Sequence, residues 1–307
     1  MTLRKTLLTG WFSFRHGEVT AGDVLALRRV QRVLDCSGTP YDTVWSPGFR
    51  TGSPGFDGLD PAEYGRLLFI CGPLHGPQVA ALHERFAHCT RIAVGVSVID
   101  PGEPAVRGFH RVLARDASGS RPRLDLSVAA PQAAATPVAG LVLTHGQGEY
   151  GPRRRHDAVA RTLTAWLAEQ DCGRVQLDTR LATGDWRLCA TSEQFESVLR
   201  RLDVVVTDRL HGLVLALRAG VPALAVDPVA GGAKVSAQAR ACGWPAVLAA
   251  ESLTPGELDR WWRWCLTAGR TAARSAQQAF ADTAAAEDTV LADALTATPA
   301  AVRATGG

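Results

Sequence analysis

Residues 202–227 read LDVVVTDRLHGLVLALRAGVPALAVD, and this stretch decides the fold class. The run Val204 to Val206 predicts a buried strand because it is short, apolar and β-branched. Gly220 is expected to end the helix that follows, and Pro222 to begin the next strand, where no helix can continue. A strand, a helix and a second strand in this order indicate a parallel α/β sheet.

The same alternation of short apolar runs and longer helical patterns continues outward from this stretch. Residues 41–61, rich in Gly, Pro, Asp and Ser, are predicted to form a long surface loop. Strands are predicted at 6–14, 67–71, 91–98, 140–144, 174–177, 203–207 and 223–226, and helices at 24–34, 79–86, 158–169, 192–201, 212–219 and within 255–302.

The length of 307 residues predicts more than one domain, since a hydrophobic core usually serves about 150 residues. Periodicity is lost between residues 114 and 137, which favours a domain boundary near 130–139. We therefore predict an N-terminal α/β domain over 1–135, a C-terminal α/β domain over 136–275 and a helical tail over 276–307.

Composition excludes several classes of protein. With 46% hydrophobic and 21% charged residues, the chain is neither disordered, collagen-like nor a polytopic membrane protein. A net charge of +3 gives no reason to expect a nucleic-acid partner. No apolar stretch approaches the ~20 residues of a membrane helix, and seven cysteines without CxxC spacing favour a reduced compartment. We expect a cytoplasmic protein that can bind peripherally to the inner face of a membrane.

Polar residues at the end of the strand in 202–227 carry the candidate chemistry. Asp208, Arg209 and His211 follow the strand, and Gly212 lies at the start of the helix. The N–H groups of a helix N-terminus favour an anion, and an arginine adds a fork that binds phosphate or carboxylate. His211 can exchange a proton near neutral pH. The alternative is structural: Asp208 pairs with Arg209, and His211 caps the helix.

Other motifs are weaker. Residues 146–151 form a literal GxGxxG, but Asp178 lies 32 positions beyond the first glycine where about 20 is expected, so a flexible loop is favoured over a dinucleotide site. His16, His75 and His145 each follow a predicted strand and can line a cleft, although such histidines are more often surface or capping residues. No HExxH, GxSxG or Walker A sequence and no carboxylate cluster is present, so no metal is expected.

The sequence TDRLHG at 207–212, followed by AGVP at 219–222, resembles the signature of the polysaccharide pyruvyl transferase family. Further similarity to the family lies at TSEQF (191–195), Lys234-Val235, Ala114-Arg115-Asp116 with Ser118, and Ala21-Gly22-Asp23. The chain departs from the family at 71–76, where CGPLHG stands in place of a run of glycines.

The resemblance implies two Rossmann-like domains in a glycosyltransferase-B-like arrangement, with a C-terminal helix crossing back. It implies phosphoenolpyruvate as the donor and no cofactor. The acceptor is then a sugar of a cell-surface polysaccharide precursor, which can be lipid-linked, or of a glycosylated metabolite. The alternatives are a glycosyltransferase of the same fold that uses a nucleotide-sugar donor, and a non-catalytic binding protein.

Roles are assigned on this resemblance as a hypothesis. His211 is the general acid, and Arg209 acts with it in catalysis. Donor-binding residues are Arg115 and Arg209 for the phosphate and carboxylate, with Gly212 at the helix terminus and Lys234 assisting. Residues expected on the acceptor side of the cleft are Asp23, His16, His75 and His145. Two structural alternatives stay open: an ion pair of Arg115 with Asp116 or Asp125, and a solvated loop position for Lys234.

Overall fold

The computed structural model describes residues 4–53, 55–144 and 146–296. The chain divides between Ala134 and Ala135 into two compact units, called unit 1 and unit 2. Within the described residues, each unit holds a five-stranded sheet whose strands all pair in parallel. The prediction of two α/β domains with parallel sheets is confirmed.

Unit 1 has the strand order β2-β1-β3-β4-β5. Its strands are β1 (Lys5–Thr9), β2 (Tyr41–Thr43), β3 (Tyr64–Ile70), β4 (Thr90–Val98) and β5 (Arg111–Ala117), and its helices are α1 (Ala21–Cys36), α2 (Gly76–Arg85) and α3 (Pro104–Arg107). Buried apolar side chains pack on both faces of this sheet, because helices and loops cover both faces of a parallel sheet.

Three predicted features of unit 1 are wrong. The first strand was predicted to run to residue 14, but it ends at Thr9. Trp11–Ser13 forms a 3-10 helix instead, and its Phe12 is buried in the core. The range 41–61 was predicted to be a surface loop, but Tyr41–Thr43 is an edge strand and both Val44 and Trp45 are buried. The polar composition of the whole range conceals this short apolar stretch. The segment that loses periodicity from residue 114 begins inside strand β5, whose side chains are mostly half-buried.

Unit 2 has the strand order β10-β9-β8-β6-β7. Its strands are β6 (Val138–Val142), β7 (Gly173–Leu177), β8 (Val204–Thr207), β9 (Ala223–Asp227) and β10 (Val247–Ala249), and its helices are α4 (His156–Glu169), α5 (Ser192–Leu199), α6 (Leu210–Arg218), α7 (Lys234–Ala241), α8 (Pro255–Leu266) and α9 (Ala268–Thr296). Every residue of β8 and β9 is buried, which explains their continuous apolar runs. Strand β10 and helix α7 were not predicted.

The first turns of helix α9 pack into unit 2. The predicted boundary at residue 275 falls inside this helix, which runs from Ala268 to Thr296 without a break. Ala273 is fully buried in the core of unit 2, and the side-chain amide of Gln277 donates to the carbonyl oxygen of Arg218 at 2.9 Å. None of the helices in the described ranges has the length and apolar content to cross a membrane.

Candidate functional site

The candidate site lies at the carboxyl edge of the sheet in unit 2. In a parallel sheet all strands end at one edge, and ligands bind there. Four strands end at this edge, and candidate residues lie at or after their ends: Tyr150 beyond β6, Asp178 after β7, Asp208 after β8 and Asp227 at the end of β9.

The turn between β8 and α6 is held by Thr207. Its buried hydroxyl donates to the carbonyl oxygen of Val142 at 2.8 Å and accepts from the backbone N–H of Arg209 at 2.9 Å. Gly212, in the first turn of α6, packs so closely here that a β-carbon would lie 2.2 Å from the Thr207 hydroxyl. This turn requires a glycine because only a hydrogen fits between the helix and the strand.

Arg209, the N-cap of α6, is held by the carboxylate of a residue that follows another strand, β7. Its Nη1 atom donates to Oδ1 of Asp178 at 3.0 Å, and the two side chains are 22% and 11% exposed. Asp178 also forms an ion pair with Arg180 at 2.8 Å. The structure thus gives Arg209 a different partner from the predicted Asp208, whose Oδ1 accepts from the backbone N–H of Thr144 at 2.6 Å.

His211 is exposed in the first turn of α6, two residues beyond Arg209 at the N-cap. The backbone N–H groups of this turn have no intrahelical acceptor, as at every helix N-terminus. The structure therefore places Arg209 and His211 at the helix end where these N–H groups lie. Such an arrangement can bind an anion and move a proton beside it.

Lys234 begins helix α7 and does not lie in a loop. The buried carboxylate of Asp227 positions it, since Asp227 accepts backbone N–H bonds from Val229 at 3.1 Å, Ala233 at 2.7 Å and Ser236 at 2.8 Å. The ammonium group forms no ion pair with the residues that the structure describes, and it lies 5.6 Å from the ring centroid of Tyr150. A cation at a helix N-terminus opposes the helix dipole, so an aromatic face is a fitting neighbour.

Tyr150 connects Lys234 to a buried histidine. Its ring stacks on that of His156 with centroids 6.2 Å apart, and Nε2 of His156 lies 3.3 Å from the side-chain oxygen of Gln147. Burial lowers the pKa of His156, and the charges of Arg154 and Lys234 lower it further. This histidine is therefore kept neutral near pH 7.

The loop that carries GxGxxG is tied to the loop after β9. The backbone N–H of Arg155 donates to Pro228, and that of Ala230 donates to Arg153, both at 2.8 Å. A 3-10 segment, Gly148–Arg153, separates strand β6 from helix α4. A dinucleotide fingerprint requires its glycines to lead directly into the helix, and the glycines of this loop do not.

Arg115 lies in unit 1, on strand β5, and each guanidinium nitrogen has a partner there. Nε donates to Asp116 at 2.9 Å, Nη1 to Asp125 at 2.7 Å and Nη2 to the Ser97 hydroxyl at 2.7 Å. Hydrogen bonds from Ser97 and Arg115 lower the pKa of Asp116. Both predicted ion pairs exist, and the role of Arg115 in donor binding stays a prediction.

The residues expected on the acceptor side have varied surroundings. Asp23 closes a capping box at the start of α1, where its carboxylate accepts from the Thr20 backbone N–H at 3.1 Å. His75 is the N-cap of α2, and its ring lies 5.2 Å from that of Trp11. His16 is exposed, and His145 lies outside the described residues. Their roles stay predictions.

The sequence analysis did not identify three residues as part of the site: Asp178, Asp227 and Tyr150. Asp178 and Asp227 share one signal, an aspartate at the carboxyl end of a predicted strand. Tyr150 has no such signal, because its contact with Lys234 joins the 3-10 segment after β6 to the start of helix α7. Across the described ranges, no group of three or more His, Cys, Asp or Glu side chains could hold a metal ion.

In the comparison with known proteins, a family model matches part of the chain. The family model described as polysaccharide pyruvyl transferase matches residues 176–228, the segment that contains Asp178, Arg209 and His211. The resemblance predicted from the signature is confirmed over this segment. No curated protein matches the chain.

Solved structures resemble the chain at low sequence identity. The UDP-GlcNAc 2-epimerase of Methanocaldococcus jannaschii is 8% identical, with 91% of this chain and 99% of that chain covered and a TM-score of 0.31. The glycotransferase of kitacinnamycin is 13% identical, with 94% and 99% covered and a TM-score of 0.33. The E. coli heptosyltransferase is 14% identical, with 87% and 99% covered and a TM-score of 0.27.

Proposed function

We propose that this protein is a transferase that moves a pyruvyl group from phosphoenolpyruvate to two hydroxyl groups of a sugar. One observation carries the proposal: Arg209 and His211 lie at the N-terminus of α6, inside the segment that matches the pyruvyl transferase family. The acceptor is a sugar of a polysaccharide precursor or of a glycosylated metabolite.

The charges of the site suit this donor. Phosphoenolpyruvate carries a phosphate and a carboxylate, so it needs cationic groups and N–H donors. Arg209 and the first turn of α6 supply one set, and the ammonium of Lys234 supplies a second cation. Asp178 holds the guanidinium of Arg209 through one nitrogen, which leaves its other N–H groups for the donor.

The proposed chemistry uses these residues as follows. His211 donates a proton to the methylene carbon of the donor, which becomes a methyl group, while the first sugar oxygen bonds to the central carbon. The second sugar oxygen then bonds to that carbon as inorganic phosphate leaves. One hydroxyl proton restores His211, and the other leaves with phosphate. The products are the ketal and inorganic phosphate, and no oxidant or reductant is consumed.

Calorimetric titration tests the donor. The protein is titrated with phosphoenolpyruvate, UDP, GDP and NAD, and we expect binding of phosphoenolpyruvate alone. Arg209→Ala should weaken this binding by about tenfold or more, the usual effect of losing a hydrogen bond to a charged group. His211→Ala should leave binding within about threefold and abolish phosphate release with a sugar acceptor, since only the proton transfer is lost.

Arg218→Ala is the matched control, because Arg218 lies at the opposite end of the same helix and pairs with Glu196. It should bind the donor as the unchanged protein does. Binding of a nucleotide in place of phosphoenolpyruvate would contradict the proposal and favour a nucleotide-sugar donor. Unchanged donor binding in Arg209→Ala would show that Arg209 does not bind the donor.

A further inference from the structure

Two segments that follow strand β7 share one local pattern, an aspartate with an arginine two residues later. They are Asp178-Thr179-Arg180 and Asp185-Trp186-Arg187. In each, the backbone N–H of the arginine donates to Oδ1 of the aspartate, at 2.9 Å in the first and 3.0 Å in the second. The guanidinium Nε donates to the same carboxylate, at 2.8 and 2.9 Å. The local pattern thus produces an ion pair in both segments.

The first segment differs from the second because its aspartate holds a second arginine. Nη1 of Arg209 donates to Oδ1 of Asp178 at 3.0 Å, whereas the carboxylate of Asp185 accepts from Arg187 alone among the described residues. Asp178 is also the less exposed of the two aspartates, at 11% against 30%. Two guanidinium groups share the carboxylate of Asp178, so these three side chains carry a net positive charge.

This charge lies where the sheet of unit 2 changes direction. Strand β6 pairs with β7 on one side and with β8 on the other. The chain passes from β6 to β7 in one direction, and from β8 through β9 to β10 in the opposite direction. Right-handed crossovers place the helices of these two runs on opposite faces of the sheet, and ligands bind in the crevice where the runs diverge. The ion pair of Asp178 and Arg209 crosses the end of β6, so it lies at this crevice.

Both guanidinium groups keep N–H donors for a ligand. An arginine side chain has five N–H donors, and the described chain offers those of Arg180 and Arg209 no acceptor other than Asp178. Both groups hydrogen-bond one carboxylate, so they lie close enough together for one small anion to bind both. A phosphate group has enough oxygens to accept from the two forks at once, and its charge is opposite to theirs.

We propose that Arg180 and Arg209 together bind a phosphate group at this crevice. Arg180 lies outside the signature at 207–212 and is thereby a further specificity-determining residue of the candidate site. Asp178 holds both guanidinium groups in place before the ligand binds, which lowers the entropic cost of binding. In the proposed function the group is the phosphate of phosphoenolpyruvate. That identification rests on the proposed function, whereas phosphate binding by the two arginines does not.

Titrations of the full chain followed by phosphorus NMR test the pair, one with inorganic phosphate and one with phosphoenolpyruvate. We expect Arg180→Gln to weaken binding of both ligands by about fivefold or more, because hydrogen bonds to a charged group are lost. The effect should be smaller than that of Arg209→Ala, because the Arg180 side chain is 60% exposed and water competes for its N–H groups. The amide of glutamine can still donate to Asp178, so the carboxylate keeps a partner.

Arg187→Gln is the matched control. Arg187 has the same local pattern and a similar exposure, 70%, but in the part of the chain that the structure describes its aspartate holds no second arginine. This variant should bind both ligands as the unchanged protein does.

A double variant separates direct contact from an effect that passes through Arg209. If Arg180 only positioned Arg209, Arg180→Gln would have no effect in a chain that already carries Arg209→Ala. Direct contact with the ligand predicts a further loss of phosphoenolpyruvate binding, by about threefold or more.

The proposal is overturned by any of three results. Inorganic phosphate does not bind the unchanged protein, Arg180→Gln and Arg187→Gln bind it alike, or Arg180→Gln has no further effect beside Arg209→Ala. The two ligands separate this outcome from failure of the proposed function. Phosphoenolpyruvate binding that does not depend on Arg180 removes the arginine pair alone. Phosphate binding that depends on Arg180, with phosphoenolpyruvate bound no more tightly than inorganic phosphate, supports the pair and removes the pyruvyl donor.

Discussion

At the residue scale, the partner of Arg209 decides the geometry of the candidate site. Asp178 follows β7 and Arg209 follows β8, and β6 lies between these two strands. The ion pair therefore crosses the end of β6. The sequence suggested Asp208, the neighbour of Arg209, as its partner. The carboxylate of Asp208 instead accepts a hydrogen bond from the backbone N–H of Thr144.

Buried His156 gives a prediction about pH. Its pKa lies below the usual 6.5 because burial, and then Arg154 and Lys234, disfavour the charged ring. In the unfolded chain the pKa returns to its usual value, so the unfolded state binds the proton more readily. Stability is thus present above about pH 6.5 and is lost as pH falls, by at most about 1.4 kcal/mol per pH unit for one group.

We expect the free energy of unfolding to fall between about pH 7.5 and about pH 5.5, and to fall less in His156→Gln. Urea denaturation at both pH values measures this. His83, whose pKa burial also lowers, contributes to the remainder. His16→Gln changes an exposed ring and should keep the full decline. An equal decline in His156→Gln and in the unchanged protein would show that His156 does not contribute.

At the element scale, the turn from β8 into α6 depends on close packing. In Gly212→Ala the new methyl group would lie 2.2 Å from the Thr207 hydroxyl, which holds both Val142 and the N–H of Arg209. We expect a loss of about 2 kcal/mol in the free energy of unfolding, the typical cost of overpacking. Urea denaturation measures it.

Gly256 is the matched control for this substitution. It also lies in the first turn of a helix, α8, and a β-carbon there meets no atom within 4 Å. Gly256→Ala should leave stability unchanged or raise it slightly, since alanine favours helix. Equal effects of the two substitutions would mean that helix propensity, rather than contact with Thr207, decides the outcome.

At the scale of the whole molecule, each unit has its own core. The buried cluster of unit 2 runs from Ala139 to Ala273 and draws on unit 2 alone. We therefore expect residues 135–307 to fold as a separate fragment with a cooperative urea transition. Residues 135–267 lack α9, which supplies Ala273 and the Gln277 bond to Arg218, and should not fold cooperatively.

Circular dichroism during urea unfolding distinguishes the two fragments. A non-cooperative transition for residues 135–307 would mean that unit 2 needs unit 1 to fold. A cooperative transition for residues 135–267 would show instead that α9 only covers the surface of a core that is stable without it.

The sequence by itself determined two parallel α/β sheets, the turn at 207–212 and the position of Arg209 and His211 at one helix end. These features follow from local periodicity, a glycine stop and spacing along the chain. Tertiary structure alone decided that Asp178 holds Arg209, that Tyr150 faces Lys234, and that β2 and β10 complete the sheets. These contacts join segments distant in sequence, so their free energy comes from packing and strand order, which no local pattern encodes.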